Sequence, residues 1–378
     1  MNRLLSLFVV CSLALVFFSC STESNTGIQL ASPDLPENPF DYVASEEALP
    51  ESISGDNTPN HNAISNEGAT LGRVLFYDPL LSLNNAVSCA SCHQQHLSFS
   101  DGLEKSIGFS GKLTTRNSPT ILNMRFSERF FWDMSQSILE SQVVVPIGNH
   151  IEMGMEDFEF LTKKLEQTDY YPELFTEAYG SAEITEEGVS FALSQFLRSI
   201  NSFDSRFDQG RESDFTNFTP LELKGKEVFI NANCNACHRV LGESSSFING
   251  EIIFFDQENG EYSGGSGASD FANIGLDLET IDPGLENGAF KIPNLRNLIY
   301  SAPYMHDGRF ATLEAVIDHY DHGVQAHPAL DFNLRDADGK PRRLNLSQFE
   351  KEALKAFLLT LTDDSIVNDE KLSDPFKK

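Results

Sequence analysis

Two copies of one pattern constrain this chain more than anything else in it: Cys89-Ala-Ser-Cys92-His93 and Cys234-Asn-Ala-Cys237-His238. Two thiols separated by two residues and followed at once by an imidazole match the attachment of a c-type haem. The thiols add across the vinyl groups and the adjacent His is held beneath the iron. Two other readings are weaker. A zinc site built from both pairs would leave each His spare and would join distant parts of the chain. A thioredoxin-like redox pair needs a βαβ setting, and strand signals here are sparse. The motifs therefore predict two covalently attached haems c, with His93 and His238 as iron ligands. The remaining cysteines are Cys11 and Cys20, so none is left for a structural disulfide.

Covalent attachment suits an exported protein, and the N-terminus agrees. Met1-Asn2-Arg3 precedes an apolar run from Leu4 to Phe18, which reads as a signal peptide over 1–19 and is too short for a stable span. Ser19-Cys20 resembles a bacterial lipobox, in which Cys20 would be lipidated and become the first mature residue. Phe17 and Phe18 fit that motif poorly, and the alternative is a plain signal peptide followed by an incidental cysteine. The expected location is the periplasm or cell envelope, with membrane attachment only through a lipid anchor.

With 378 residues, two domains are expected, at ~100–200 residues each. Hydrophobic residues at 40% and charged residues at 22% exclude wholesale disorder and a multispan membrane protein. Asp+Glu number 56 against 27 Lys+Arg, a net charge of −29 that repels phosphate backbones and argues against nucleic-acid binding. The same surface would suit a basic partner protein, although a merely solvated acidic surface is the commoner meaning.

Residues 20–60 are rich in Ser, Pro, Asn and Glu without periodicity and read as a flexible tether. Helical spacing appears over 69–76, 155–180, 185–203, 220–229, 311–320 and 346–362. The polar stretch 204–219 fits a linker. A helix before each Cys-x-x-Cys-His suggests a weak internal repeat, and divides the ordered chain into an N-terminal haem domain over 61–210 and a C-terminal one over 211–365. Residues 241–290 hold ten acidic residues, nine Gly and no Lys or Arg, a long loop with a hairpin expected around Ile252–Phe255. The predicted fold is mainly α: two cytochrome-c-like haem domains with long loops.

Beyond the haem motifs, the sequence resembles the bacterial di-haem cytochrome c peroxidases and their MauG-like relatives over residues 61–363. The first part of the resemblance rests on Leu71-Gly72-Arg73-x-Leu75-Phe76, Arg116-Asn117-Ser118-Pro119-Thr120, Phe131-Trp132-Asp133, Gln142-x-x-x-Pro146 and Glu152-Met153. After the second haem motif it continues in Pro293-Asn294-Leu295-Arg296-Asn297 and Ala302-Pro303-Tyr304-Met305-His306-Asp307-Gly308. It implies that the N-terminal haem handles H₂O₂, with Gln142, Pro146 and Glu152 in the distal pocket. Glu152 would shuttle a proton and Gln142 would position peroxide. Trp132, the single Trp, would relay electrons between haems. Asn117 with the carbonyls of Ser301 and Pro303 would hold calcium. Taken alone, Gln142 and Glu152 would read as solvated side chains, and Trp132 as an ordinary core aromatic.

Two departures stand out. The cytochrome c peroxidases of that family carry a ligating His in a Ser-Ile-Gly-His stretch, where this chain has Ser106-Ile107-Gly108-Phe109. Phe cannot ligate iron, so the first haem is expected to be five-coordinate or water-bound without reductive activation. His96 and His150 are the nearby alternatives, and otherwise read as surface residues. The second departure is Tyr320, fourteen residues after His306, where those peroxidases place Met and MauG-like proteins place Tyr. Thioether favours Fe(II), whereas phenolate favours Fe(III) and higher states. Tyr320 is the expected ligand, with His319 second and His322 and His327 further candidates. Core packing at a helix end is the plain alternative for Tyr320.

The leading functional reading is a peroxidase drawing electrons from a small cytochrome c or cupredoxin through the second haem and Trp132. The second is a MauG-like enzyme that uses peroxide to oxidise a protein or small-molecule substrate. A non-enzymatic electron carrier is the third, and the Gln142/Glu152 pair argues against it. The resemblance also brings a homodimer with it, for which the chain has no independent signal.

Overall fold

The computed structural model describes residues 32–44, 56–211, 213–238, 240–241, 246–247 and 271–376. The signal segment, Cys20 and the hairpin expected at Ile252–Phe255 lie outside the described residues. Two helix pairs organise the rest. Helix α1 (Asn66–Tyr77) is capped by Ser65, whose hydroxyl accepts from the Gly68 N–H at 3.0 Å. Its buried residues Leu71, Val74, Leu75 and Phe76 face the core. Helices α2 (Phe158–Glu166) and α3 (Tyr171–Tyr179) follow, then α4 (Glu186–Ser199), which crosses α1. A Cβ on Gly72 would sit 1.9 Å from the Ala192 carbonyl oxygen, so only glycine permits this approach.

The C-terminal half repeats the device. Helix α5 (Pro220–Asn231) starts at a capping box of Thr219 and Glu222, and α7 (Gln348–Leu359) at one of Ser347 and Glu350. A Cβ on Gly225 would sit 1.9 Å from the Ala353 carbonyl oxygen. Phe76 and Phe229, each four residues after its crossing glycine, line two separate cavities. The repeat suspected from the haem motifs thus has a counterpart in helix packing.

The segment expected as one helix over 155–180 divides into α2 and α3. Pro172 has no N–H to donate and sits in the first turn of α3, where none is needed, whereas it would break a continuous helix. Helix α6 (Leu313–Asp318) runs on into a π-helical turn, His319–Gly323. Strands are confined, among the described residues, to two antiparallel pairs: β1 (Val240–Leu241) with β2 (Ser246–Phe247), and β3 (Phe271–Ala272) with β4 (Phe290–Lys291). From 78 to 157 the chain contains nothing longer than single helical turns. The described residues are therefore mainly helical with few strands, as expected.

Within the span read as tether, residues 33–44 pack onto the body. Tyr42 is fully buried and its hydroxyl donates to the Lys371 carbonyl at 2.7 Å, while the Asp34 N–H donates to the Pro375 carbonyl at 2.8 Å. The C-terminal stretch straps the first helix as well, accepting from Arg73 at Glu370 (3.1 Å) and from the Tyr77 hydroxyl at Leu372 (2.7 Å). Among the described residues, no helix is long and apolar enough to cross a membrane.

Candidate active site

Cys89–Cys92 form one helical turn closed by a Ser88/Ser91 capping box, and the His93 N–H donates back to the Cys89 carbonyl at 3.0 Å. The following loop turns through left-handed Ser98 and Phe99, which brings the Phe99 carbonyl to 2.9 Å from His93 Nδ1. A carbonyl only accepts, so Nδ1 carries the hydrogen and Nε2 keeps its lone pair. Burial lowers the His93 pKa more than the Phe99 bond raises it. The imidazole is thereby held neutral, the form that binds a metal.

His93 lines a cavity of about 380 Å³ together with Cys89, Cys92, Gln142, Pro146, Glu152 and Trp132. Gln142 Oε1 is buried there without a hydrogen-bond partner. Such an orphan acceptor is costly, which fits a site that a ligand completes. Burial raises the Glu152 pKa, and Asn149 Nδ2 donates to its Oε1 at 3.1 Å. Asn149 also accepts from the Ile151 N–H at 2.8 Å, so a local turn aims Glu152. Sequence reasoning missed Asn149, although an Asn three residues before an acid is a turn signal.

Phe109 does not line this cavity. Its N–H donates to the Glu152 carbonyl at 2.8 Å and its ring lies over Gly154, where an added Cβ would come within 2.5 Å of it. His96 and His150 are exposed and lie outside the lining, so His93 is the one imidazole there among the described residues. The two alternatives for a sixth ligand are thus both turned to solvent.

The second cavity, about 210 Å³, is lined by Cys234, Cys237, His238 and Tyr320. Burial pushes the Tyr320 phenol well above its usual pKa, with Cys237 and Cys234 adding to the effect. The other three candidates are engaged elsewhere. His319 Nε2 pairs with the Ile274 carbonyl at 3.0 Å, exposed His322 pairs with Asp321 at 3.1 Å, and His327 sits between Asn273 and Thr280. The sequence reading did not single out Met305 and Arg342, which also line this wall. Arg342 donates to the Ala232 carbonyl, which places its guanidinium at the end of α5, just ahead of the second haem motif.

Trp132 lines both cavities. Its indole N–H donates to the Asn117 carbonyl at 2.9 Å, and its own carbonyl accepts from the Lys291 N–H at 2.8 Å. The His306 ring stands 6.5 Å from it, edge-on. Next to it, Asp133 pairs with Arg116 at 2.6 Å, and Arg116 pairs with Asp282 at 2.8 Å, which fastens the Trp132 segment to the loop before β4. Asn117, Ser301 and Pro303 all reach the second cavity, and the Asn117 side chain donates to the Leu103 carbonyl at 2.7 Å. Among the described residues, the one group of three His, Cys, Asp or Glu side chains spaced to share a metal ion, Asp318 with Asp321 and His322, lies elsewhere and is spanned by Lys351.

These walls fit two covalently held haems. Each cavity carries a complete Cys-x-x-Cys-His set. In the first, a neutral imidazole and an orphaned acceptor share one space, and an indole is common to both cavities.

Comparison with known proteins agrees. Residues 66–215 match the family profile of the di-haem cytochrome c peroxidases. The chain is 33% identical over 356 residues to the methylamine utilization protein MauG of Methylorubrum extorquens, covering 93% of this chain and 92% of that one. It is 30% identical over 296 residues to the cytochrome c551 peroxidase of Nitrosomonas europaea, covering 78% of this chain and 80% of the relative. The crystal structure of a MauG-like protein associated with microbial copper homeostasis superposes with a TM-score of 0.73 at 32% identity, covering 87% of this chain and 99% of that one. The chain belongs to the di-haem cytochrome c peroxidase and MauG family.

Proposed function

We propose that this protein cleaves H₂O₂ in the N-terminal cavity and takes the two electrons from a small cytochrome c or cupredoxin by way of the C-terminal cavity. The observation that carries the reading is the pair formed by the unpartnered Gln142 oxygen and the half-buried Glu152 in the cavity of His93. When bound, two haems c held by Cys89/Cys92 and Cys234/Cys237, with His93 and His238 on iron, would supply the metal that binds and reduces peroxide. Gln142 Oε1 accepts a peroxide O–H and orients it. Glu152, steadied by Asn149, takes the proton from one peroxide oxygen and returns it to the other, which leaves as the first water; the two electrons and two protons from solvent then turn the remaining oxygen into the second. Pro146 shapes the wall beside them. Trp132, touching both cavities, relays the electrons. A calcium ion on Asn117 and the carbonyls of Ser301 and Pro303 would stiffen the seam that holds Trp132.

A second reading, MauG-like use of peroxide on a protein or small-molecule substrate, is favoured by one specific observation: Tyr320 lines the second cavity while His319, His322 and His327 do not. Phenolate ligation disfavours Fe(II) storage and favours holding oxidising equivalents. The two readings separate on mixing the all-ferric protein with H₂O₂ and reduced small cytochrome c. Multiple turnovers of the donor support the first; a long-lived oxidised species with little donor turnover supports the second and overturns the first. We place the protein in the periplasm or cell envelope, anchored through Cys20. Its net charge of −29 favours a basic donor, so donor oxidation should slow as salt rises.

A further inference from the structure

A buried cluster beside the first haem motif has no role in the reading above. Asp78 follows α1 and is 1% exposed. One of its oxygens, Oδ2, accepts from two phenols, Tyr171 at 2.9 Å and Tyr170 at 2.7 Å. The other accepts from the Leu80 N–H at 2.8 Å. Lys164 acts on Asp78 through its charge but donates to the carbonyls of Leu80 and Ser82, each at 2.7 Å. Tyr171 is fully buried. Phe76, two residues before Asp78, lines the N-terminal cavity, and α1 packs on the Cys89–Cys92 turn. Tyr170 is half-buried, its ring centroid 4.7 Å from that of Tyr171.

A buried carboxylate shared by two phenols and bonded to no cation is an expensive way to fill a core, where two Phe rings and an apolar partner would do. It is, however, a proton acceptor within hydrogen-bond reach of two oxidisable rings in series. We propose that Tyr171, Tyr170 and Asp78 form a proton-coupled relay that carries oxidising equivalents from the N-terminal cavity to the surface, for one-electron oxidation of small phenols. The proposal rests on the peroxide reading above.

The steps balance at one shared oxygen. Tyr171 gives an electron to the oxidised centre in the cavity and its phenolic proton to Asp78 Oδ2. Tyr170 then gives an electron to the Tyr171 radical, which recovers the proton from Asp78 while the Tyr170 proton moves onto the same oxygen. A phenol at the surface gives an electron to the Tyr170 radical and its proton to water. Asp78 returns a proton to Tyr170 and is a carboxylate again, and the phenol leaves as a phenoxyl radical.

The test mixes the holoprotein with H₂O₂ and a nitroso spin trap, locates adducts by peptide mass spectrometry, and measures 2-methoxyphenol oxidation in parallel. The relay predicts an adduct on Tyr170 that falls at least tenfold in Tyr171→Phe and in Asp78→Asn, with phenol oxidation falling alike. The peroxide-induced change in the haem spectrum should persist in both. Tyr171→Phe keeps the packed ring and serves even where Asp78→Asn folds poorly. An undiminished Tyr170 adduct in Tyr171→Phe, or no Tyr170 adduct in the native protein while the haem spectrum responds, overturns the relay alone. A haem spectrum indifferent to peroxide overturns both the relay and the reading beneath it.

Discussion

Gln142 and Glu152 are each a liability for folding and an asset for peroxide. Replacing Gln142 by Leu removes the orphaned acceptor. Chemical denaturation of that variant should show unchanged stability, or a gain of up to about 1 kcal/mol. Its peroxide reaction should be at least tenfold slower by rapid mixing. For Glu152 the sign follows from burial, which raises its pKa. The carboxylate is the form that takes the proton, so the peroxide rate should climb with pH through a limb above the usual Glu value of about 4.3. The folded chain also holds that proton more tightly than the unfolded one. Stability from the protonated form is therefore present below the unfolded value and lost as pH rises through the folded one. The haem cysteines, His93 and His238 were legible because covalent chemistry fixes their spacing. Asn149 was not, because its role arises from a turn that any Asn in a polar stretch could form.

Two glycines set the helix crossings. Gly72 and Gly225 let α1 meet α4, and α5 meet α7, at backbone contact. Gly72→Ala should cost about 1–3 kcal/mol by overpacking, read as a lower denaturation midpoint; an unchanged midpoint would show that the crossing has slack. Apolar spacing revealed these helices but not their crossing, since a missing Cβ leaves no periodic signal. The same spacing ran α2 and α3 together because Phe160, Leu161, Leu174 and Phe175 are compatible with one helix. Pro172 was the local sign that they are two. The π-turn at His319–Gly323 was equally hidden, and it is the element that presents Tyr320 while turning His319 toward Ile274.

Buried ion pairs and long-range straps hold the whole molecule. Arg296, 1% exposed, pairs with Asp208 at 2.6 Å. Burial pushes the Asp208 pKa up, but the Arg296 bonds outweigh it and leave the pKa lowered. Its contribution is therefore present above the unfolded value of about 3.9 and lost as pH falls through the lower folded one. Asp208→Ala should cost about 3–5 kcal/mol because it leaves a buried guanidinium unpaired, measured by thermal or chemical unfolding at neutral pH. None of this was readable beforehand. Tyr42 and Lys371 are 329 positions apart, and nothing in the polar stretch around Tyr42 marks its destination. The acidic balance and the two haem motifs spoke for the molecule only through composition and chemistry.

Whether peroxide is cleaved in the N-terminal cavity with Glu152 moving the proton is decided by rapid mixing of all-ferric native protein and Glu152→Gln with H₂O₂. The native haem spectrum should change promptly, and the variant, with both haems attached, should react about 10²–10⁴-fold more slowly. Equal rates in the two proteins would contradict this role for Glu152.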